Sequence, residues 1–417
     1  MMNNETVDRG NLHSVLGEVL GSVPITDIHT HIYPAEFKQL SLWGIDELLT
    51  YHYLVAEFFR FSDMPYDDFF ALPKERQAEL VWTTLFIDNS PVSEAARGVL
   101  TILSRLGLDV ASRDLQSYRA YFASLDHKDY IGKVLDISGV SEIVMTNDPF
   151  DPVEHEFWTT IGNPDPRFKG VLRLDPLLND YGNSWRKLAE WGYAVEATMN
   201  AGSVAEIRRF LRDWVGKLDA LYLAASLPPE FAFPEDSLRG KCLRDCVLPV
   251  CQELGKPFAL MVGARPAVNP KLRVAGSSVG KSEVRAVENL CREYPDNKFL
   301  VTMLSRENQH ELCVLARKFK NVLLFGCWWF LNNPVIIEDM TRMRMEMLGF
   351  SFVPQHSDAR VIDQLIYKWL HSKAIIQRVL FDKYNDLLAA GWVLTRTEIR
   401  RDVENWLGKT FWTFIGR

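Results

Sequence analysis

The chain has 417 residues, 47% of them hydrophobic and 24% charged, with a formal net charge of −7. That length accommodates one large α/β barrel with an insertion or two to three average domains, and the composition is that of an ordinary globular protein. The acidic balance excludes a broad attraction to nucleic acid or an anionic membrane, so an anionic ligand must be held by local Arg or Lys. The start, Met1-Met2-Asn3-Asn4-Glu5, has neither a basic stretch nor an apolar core, and no apolar run reaches membrane-spanning length; a cytoplasmic protein is expected. Six cysteines without C-x-x-C spacing read as buried free thiols in a reducing compartment.

In chain order, the first apolar run, 23–31, closes on Thr26-Asp27-Ile28-His29-Thr30-His31 and is followed by Tyr33-Pro34, where a strand should stop. From 43 to 134 no strong strand signal appears. Stretches 45–60, 74–86, 91–106 and 112–125 read as helices, with starts at Ser93-Glu94-Ala95-Ala96-Arg97 and Ser112-Arg113-Asp114-Leu115. Seven further apolar runs follow, at 142–147, 169–175, 220–226, 257–263, 298–304, 322–327 and 352–358. They lack clean alternation, as strands buried on both faces do. Amphipathic stretches at 204–218, 282–294 and 310–319 lie between them. The tail, 364–392 and 396–417, is helical and aromatic. Eight strands alternating with helices specify a (β/α)8 barrel. Residues 1–417 form one unit, with 43–134 a helical insertion after strand one that caps the active site.

Barrel chemistry sits at the C-terminal ends of strands. Strand one delivers His29 and His31, which share a side of the strand and can grip one divalent metal. Asp27 can orient them from behind. Strand two delivers Thr146, Asn147 and Asp148; strand three, Arg173 and Asp175; strand four, Ser226; strand five, Met261, Gly263 and Arg265. Strand six gives Ser305, Arg306 and Glu307; strand seven, Cys327, Trp328 and Trp329; strand eight, His356, Asp358 and Arg360. The set is polar, Arg-rich and aromatic-walled, suited to a small hydroxylated anion. Ion pairing with Asp175 or a nearby Glu is the plain alternative for Arg173 and Arg265. His29, His31 and Asp358 make a three-ligand set with room for substrate, the open arrangement of a catalytic site. His356 competes for the third place, but a buried hydrogen-bonding role suits it better. The methionines of 340–347 have helical spacing and read as core.

The His-x-His after strand one and the late Asp resemble the amidohydrolase superfamily of metal-dependent barrels. More closely, the chain resembles uronate (glucuronate) isomerases. The segments that carry this are Thr26–His31, Leu49-Thr50-Tyr51-His52-Tyr53, Phe325-Gly326-Cys327-Trp328-Trp329-Phe330-Leu331-Asn332-Asn333 and Ser357-Asp358-Ala359-Arg360. Strand eight departs from the family's Thr-Asp-Ser-Arg but keeps the Asp and the Arg. Strand five, Phe258–Gly263, has no His, which favours a mononuclear site. The resemblance implies aldose–ketose isomerisation of D-glucuronate to D-fructuronate, and of D-galacturonate to D-tagaturonate, through an enediol. It implies one divalent metal, zinc the expected ion, on His29, His31 and Asp358. Asp358 would also be a base, Tyr53 the C2–C1 proton carrier and Arg360 the stabiliser of the enediolate. His52, Arg173, Trp328 and the terminal Arg417 would bind substrate. The expected partner is the hexuronate alone, with no nucleic acid or membrane, and the protein is expected to be a homo-oligomer. A metal-dependent hydrolase or decarboxylase of the same superfamily, acting on a small carboxylate, is the alternative. A non-catalytic sugar-acid binder is a third reading, which the retained ligands and Arg360 disfavour.

Overall fold

The computed structural model of the protein describes residues 5–417. Seven regular strands form a parallel barrel wall: β1 (Ile25–Thr30), β2 (Val140–Met145), β3 (Phe168–Lys169 with Leu172–Arg173), β4 (Leu223–Leu227), β5 (Phe258–Val262), β6 (Phe299–Met303) and β7 (Val322–Leu324). Each pairs with the next: Ile25 with Val140, Ile143 with Phe168, Leu172 with Leu223, Leu223 with Phe258, Phe258 with Phe299 and Phe299 with Val322. The eighth member, 352–358, is irregular. It joins β7 by one bridge, Phe325 to Val353, and returns to β1 through Asp358 N–H to His29 O at 3.2 Å and His31 N–H to Ala359 O at 2.8 Å. The wall therefore closes, as the eight apolar runs specify. β3 is interrupted at Gly170 and Val171, whose carbonyls still accept from Leu221 N–H and Asn147 N–H at 2.9 Å each; a Cβ at Gly170 would meet Leu218 O at 2.2 Å.

Inside the barrel, Ile28, Val144, Val171, Tyr222, Ala224, Ala259, Leu300 and Leu323 form a separate apolar plug, with Phe411 and Ile415 from the last helix, Thr410–Ile415. That helix closes the N-terminal end of the barrel. Trp412 Nε1 donates to Thr26 Oγ1 at 3.0 Å, and Lys298 Nζ to Phe414 O at 2.7 Å. The larger core lies between the wall and the outer helices, among them Ala201–Leu218, Arg285–Glu293 and Gln309–Ala316. All six cysteines are free and buried, and Met340 packs in the core.

Between β1 and β2 the regular elements are helices, with Ile45–Leu49, His52–Phe58, Tyr66–Ala71, Lys74–Trp82, Glu94–Arg105, Leu115–Ala123 and His127–Ser138. Ser93 caps Glu94–Arg105 and Asp114 caps Leu115–Ala123 through side-chain oxygens that accept backbone N–H groups. The expected continuous helix over 45–60 is instead two. It breaks at Thr50 and Tyr51, where Tyr51 is extended (ψ 137°) and begins the second helix as its N-cap. Among the described residues, no helix is long and apolar enough to cross a membrane.

Candidate active site

The C-terminal strand ends surround a cavity of about 540 Å³. β1 contributes His29 and His31, β3 Arg173, β4 Ser226, β5 Met261, the turn after β7 Trp328 and Trp329, and the eighth segment Asp358 and Arg360. Tyr51 and His52 reach the wall from the break between the first two inserted helices. Strict alternation would put Ile28 and His29 on opposite sides of β1. The pairing with β2 slips between Asp27 and Thr30, and such a bulge re-aims side chains. Ile28 therefore joins the barrel plug while His29 and His31 line the cavity.

One ligand atom each from His29, His31 and Asp358 lies within 4.8 Å of the others. His29 Nε2 and His31 Nε2 stand 3.6 and 3.5 Å from Asp358 Oδ1. Thr146 Oγ1 donates its one hydrogen to Thr30 O at 2.9 Å and contacts His31 Nδ1 at 2.8 Å. Nδ1 must then donate to Thr146, which leaves the Nε2 lone pair facing Asp358, the tautomer a metal ligand requires. Both nitrogens of His29 are buried without a hydrogen-bond partner, an arrangement that costs free energy unless an ion or ligand takes one of them. The donor set therefore fits a divalent cation held by two imidazoles and a carboxylate.

Electrostatics keep these groups in ligand form. Burial, with Arg360 nearby, pushes His31 down to about 4 and His52 down to about 3. Burial and the neighbouring His356 hold His29 well below the ordinary histidine value. Burial would raise Asp358, but the surrounding imidazoles, His31 foremost, hold it well below the carboxylate range. Asp358 is left-handed at φ 54°, a conformation Asp tolerates better than most residues. Its Oδ2 accepts from Trp329 N–H at 3.2 Å.

The cavity holds three guanidinium groups of different kinds. Arg173 is bidentate to Asp175 at 2.8 and 2.9 Å and touches Ser226 Oγ at 3.3 Å, so its cavity position and the plain ion pair are both present. Arg239 pairs with Glu235 at 2.8 Å and reaches Asn179 Oδ1 at 3.0 Å. Arg360 has no carboxylate partner among the described residues.

Several expectations need correction. Tyr53 does not line the cavity. Lying one helical step past His52, its ring stacks on Phe330 at 6.4 Å and sits 5.0 Å from Tyr51, which takes the wall position instead. Arg417 does not reach the cavity of its own barrel, because the aromatic tail that carries it plugs the opposite end, where Arg417 pairs with Asp219 at 3.1 Å. Asp27 touches neither imidazole, although the His29 backbone N–H helps lower its carboxyl. It accepts from Ser357 N–H at 3.0 Å and Trp369 Nε1 at 2.8 Å and so fixes the eighth segment. His356 is fully buried beside His29, with ring centroids 5.0 Å apart, and makes no side-chain hydrogen bond. Arg265, exposed between the lining residues Ala264 and Pro266, and Arg306, which pairs with Asp339 at the surface, do not line the cavity themselves. Tyr51, Asn179 and Arg239 line the cavity without any signal in the periodicity; they sit on or beside short helices whose pattern reveals burial and not direction.

No family model matches the chain, and no curated protein does. Among solved structures, it is similar to a uronate isomerase from Bacillus halodurans C-125, 56% identical with TM-score 0.97 over 99% of this chain and 97% of that one. A uronate isomerase from Thermotoga maritima is 14% identical with TM-score 0.77 over the full length of both. A glucuronate isomerase from Caulobacter crescentus is 14% identical with TM-score 0.78 over 98% of this chain and 94% of that one. The last two carry the fold alone, while identity above one half across the whole chain carries more. The chain belongs to the uronate isomerase family.

Proposed function

We propose that this chain is a uronate isomerase that interconverts D-glucuronate with D-fructuronate, and D-galacturonate with D-tagaturonate. The carrying observation is the convergence of His29, His31 and Asp358 with the uncompensated Arg360 on one cavity. Two imidazoles and a carboxylate would hold the divalent cation, zinc in our reading, and that ion would supply positive charge to substrate oxygens. Asp358, held as carboxylate, is the base that accepts the anomeric hydroxyl proton as the ring opens. The C2–H bond then breaks, its electron pair forms the enediolate, and a proton returns at C1. Arg360 donates to the oxygen on which charge develops. His52, neutral at its depressed pKa, accepts from a substrate hydroxyl. We assign the C2-to-C1 transfer to the Tyr51–Tyr53 pair, with Tyr51 the member on the wall; the phenol, which burial keeps protonated, first releases its proton to solvent, and the phenolate then takes the proton from C2 and returns it at C1. Arg173 with Ser226 binds substrate oxygens, and Trp328 forms an apolar wall. Segment 43–134 caps the site by bringing Tyr51 and His52 over the strand ends.

The test is an NMR assay with D-glucuronate in deuterated water, with and without chelator. D-Fructuronate should appear, and its rate should fall on chelation. No ketose from either uronate would overturn the reading. Asp358→Asn should retain the fold and lose roughly 10²-fold or more in kcat, the scale of general-base loss.

A further inference from the structure

The paired Asn332-Asn333 after the two tryptophans has no part in the chemistry above. Asn333 caps the following helix, its Oδ1 accepting from Ile336 N–H at 3.2 Å. Asn332 is different. It is 3% exposed, and its Nδ2 donates to two successive carbonyls, His356 O at 3.2 Å and Ser357 O at 2.9 Å. These are the two peptide units immediately before Asp358. Its Oδ1 accepts from Gln355 Nε2 at 3.0 Å, and Gln355 Oε1 accepts from Cys327 N–H at 3.1 Å. Every polar atom of this amide is therefore spent on the irregular eighth segment and the turn facing it.

The amide is in turn held by a buried cation. Lys368 Nζ, 4% exposed, lies 3.3 Å from both Asn332 O and Asn332 Oδ1 and pairs with Glu94 Oε1 at 2.7 Å. Glu94 opens an inserted helix, and Lys368 lies on the long helix Gln364–Ala389. Removing a lysine from water is costly unless its charge is matched and its donors are used. Here both conditions are met by one carboxylate and one asparagine. Asp358 is the beneficiary. A left-handed non-glycine residue persists only where its surroundings over-determine it, and no regular sheet ladder runs through 354–358.

We infer that Asn332, anchored by the Lys368–Glu94 pair, is the positioning residue that sets the Asp358 carboxylate toward His29 and His31. It touches no substrate and acts only through the 356–358 backbone. The inference rests on the isomerase reading for its link to turnover, but zinc binding reports on it independently.

Asn332→Asp is the sharpest variant, since it keeps the shape and the partners Lys368 and Gln355 but sets a carboxylate against two carbonyl oxygens. Lys368→Met is the second, leaving the amide in place but unanchored. Each is compared with wild type by Zn2+ affinity in chelator competition, kcat and KM for D-glucuronate, and melting of the metal-free protein. Partners behind metal ligands usually contribute about 10–100-fold in affinity. Asn332→Asp should weaken Zn2+ binding and lower kcat by at least about tenfold with KM changed less than about threefold, and Lys368→Met should shift both the same way by less. A variant that melts earlier but binds Zn2+ and turns over as wild type per folded molecule overturns the inference. Should Asn332→Asp not fold, wild-type Zn2+ affinity in Lys368→Met overturns it. If wild-type protein binds Zn2+ but yields no ketose, the isomerase reading fails while the Zn2+ arm still decides the role of Asn332.

Discussion

Gly326 gives the most exposed test of how the site is packed. It sits at φ +62°, and a Cβ there would fall 1.8 Å from His356 Nδ1 and 2.4 Å from Cε1. The imidazole cannot yield outward. It is 0% exposed, with His29 and Phe325 at ring distances of 5.0 and 5.4 Å. Gly326→Ala thus carries two penalties, about 1 kcal/mol for an L-residue in the left-handed region and about 1–3 kcal/mol for overpacking a filled core. Gly391 supplies the control, since it has φ +86° and nothing within 4 Å of its Cβ position. Gly391→Ala should show the backbone penalty alone. Urea unfolding of the metal-free variants should place Gly326→Ala below Gly391→Ala by about 1–3 kcal/mol. Any push on His356 is transmitted to His29, so Zn2+ affinity should fall in the first variant and hold in the second. Adding His356→Ala should recover part of the loss, the non-additivity expected of groups in contact. Equal stability of the two glycine variants, within about 0.5 kcal/mol, refutes the packing argument.

Two further outcomes follow from the same contacts. Thr146→Val removes the acceptor that fixes the His31 tautomer, so Zn2+ affinity per folded molecule should fall by about 10–100-fold; unchanged affinity would mean the ring is held otherwise. Asp363 is buried, bonded to Tyr130 Oη and to Gly44 N–H at 2.9 Å, and burial raises it to about 6 from 3.8. Its folded form therefore binds more protons than its unfolded form between those values, so stability falls as pH rises through that window and levels off above it. Set against Asp363→Asn, which cannot titrate, the stability advantage of wild type should shrink by up to about 3 kcal/mol from pH 4 to pH 7; a constant difference in urea unfolding rejects this.

The barrel was readable because its strands are buried on both faces and leave apolar runs, and all eight runs became barrel members. What alternation could not supply was direction at the irregular points. The slip in β1 puts Ile28 and His29 on the same side, and the left-handed Asp358 breaks the spacing that linked it to His356. His356 accordingly sinks into the core while Asp358 faces the cavity. The break at Thr50-Tyr51 was hidden because the apolar spacing of Ile45, Leu48, Leu49 and Val55 continues through it, and Tyr51 was missed for that reason. The tail misled in the other direction. Phe411 and Ile415 announce burial, but hydrophobicity does not say which mouth of a barrel is filled, and Arg417 followed them to the far end.

The charge of the cavity explains how an acidic chain can take an acidic substrate. Arg173 is neutralised by Asp175 and Arg239 by Glu235. His29, His31 and His52 are neutral at pH 7 because burial depresses each of them. The uncompensated groups are Arg360 and Asp358, and these cancel. The protein side of the site is thus close to electroneutral, despite its three guanidinium groups. A divalent cation on the His29, His31 and Asp358 donors would leave a surplus of two positive charges. That matches the two charges the reaction must hold together, the carboxylate of the uronate and the developing enediolate. It follows that chelation should weaken an acidic substrate more than an uncharged aldose of the same size, because only the acid draws on the field as well as on the contacts. Equal loss for both sugars, measured as the ratio of their binding constants with and without chelator, would show that the ion acts on the sugar hydroxyls alone.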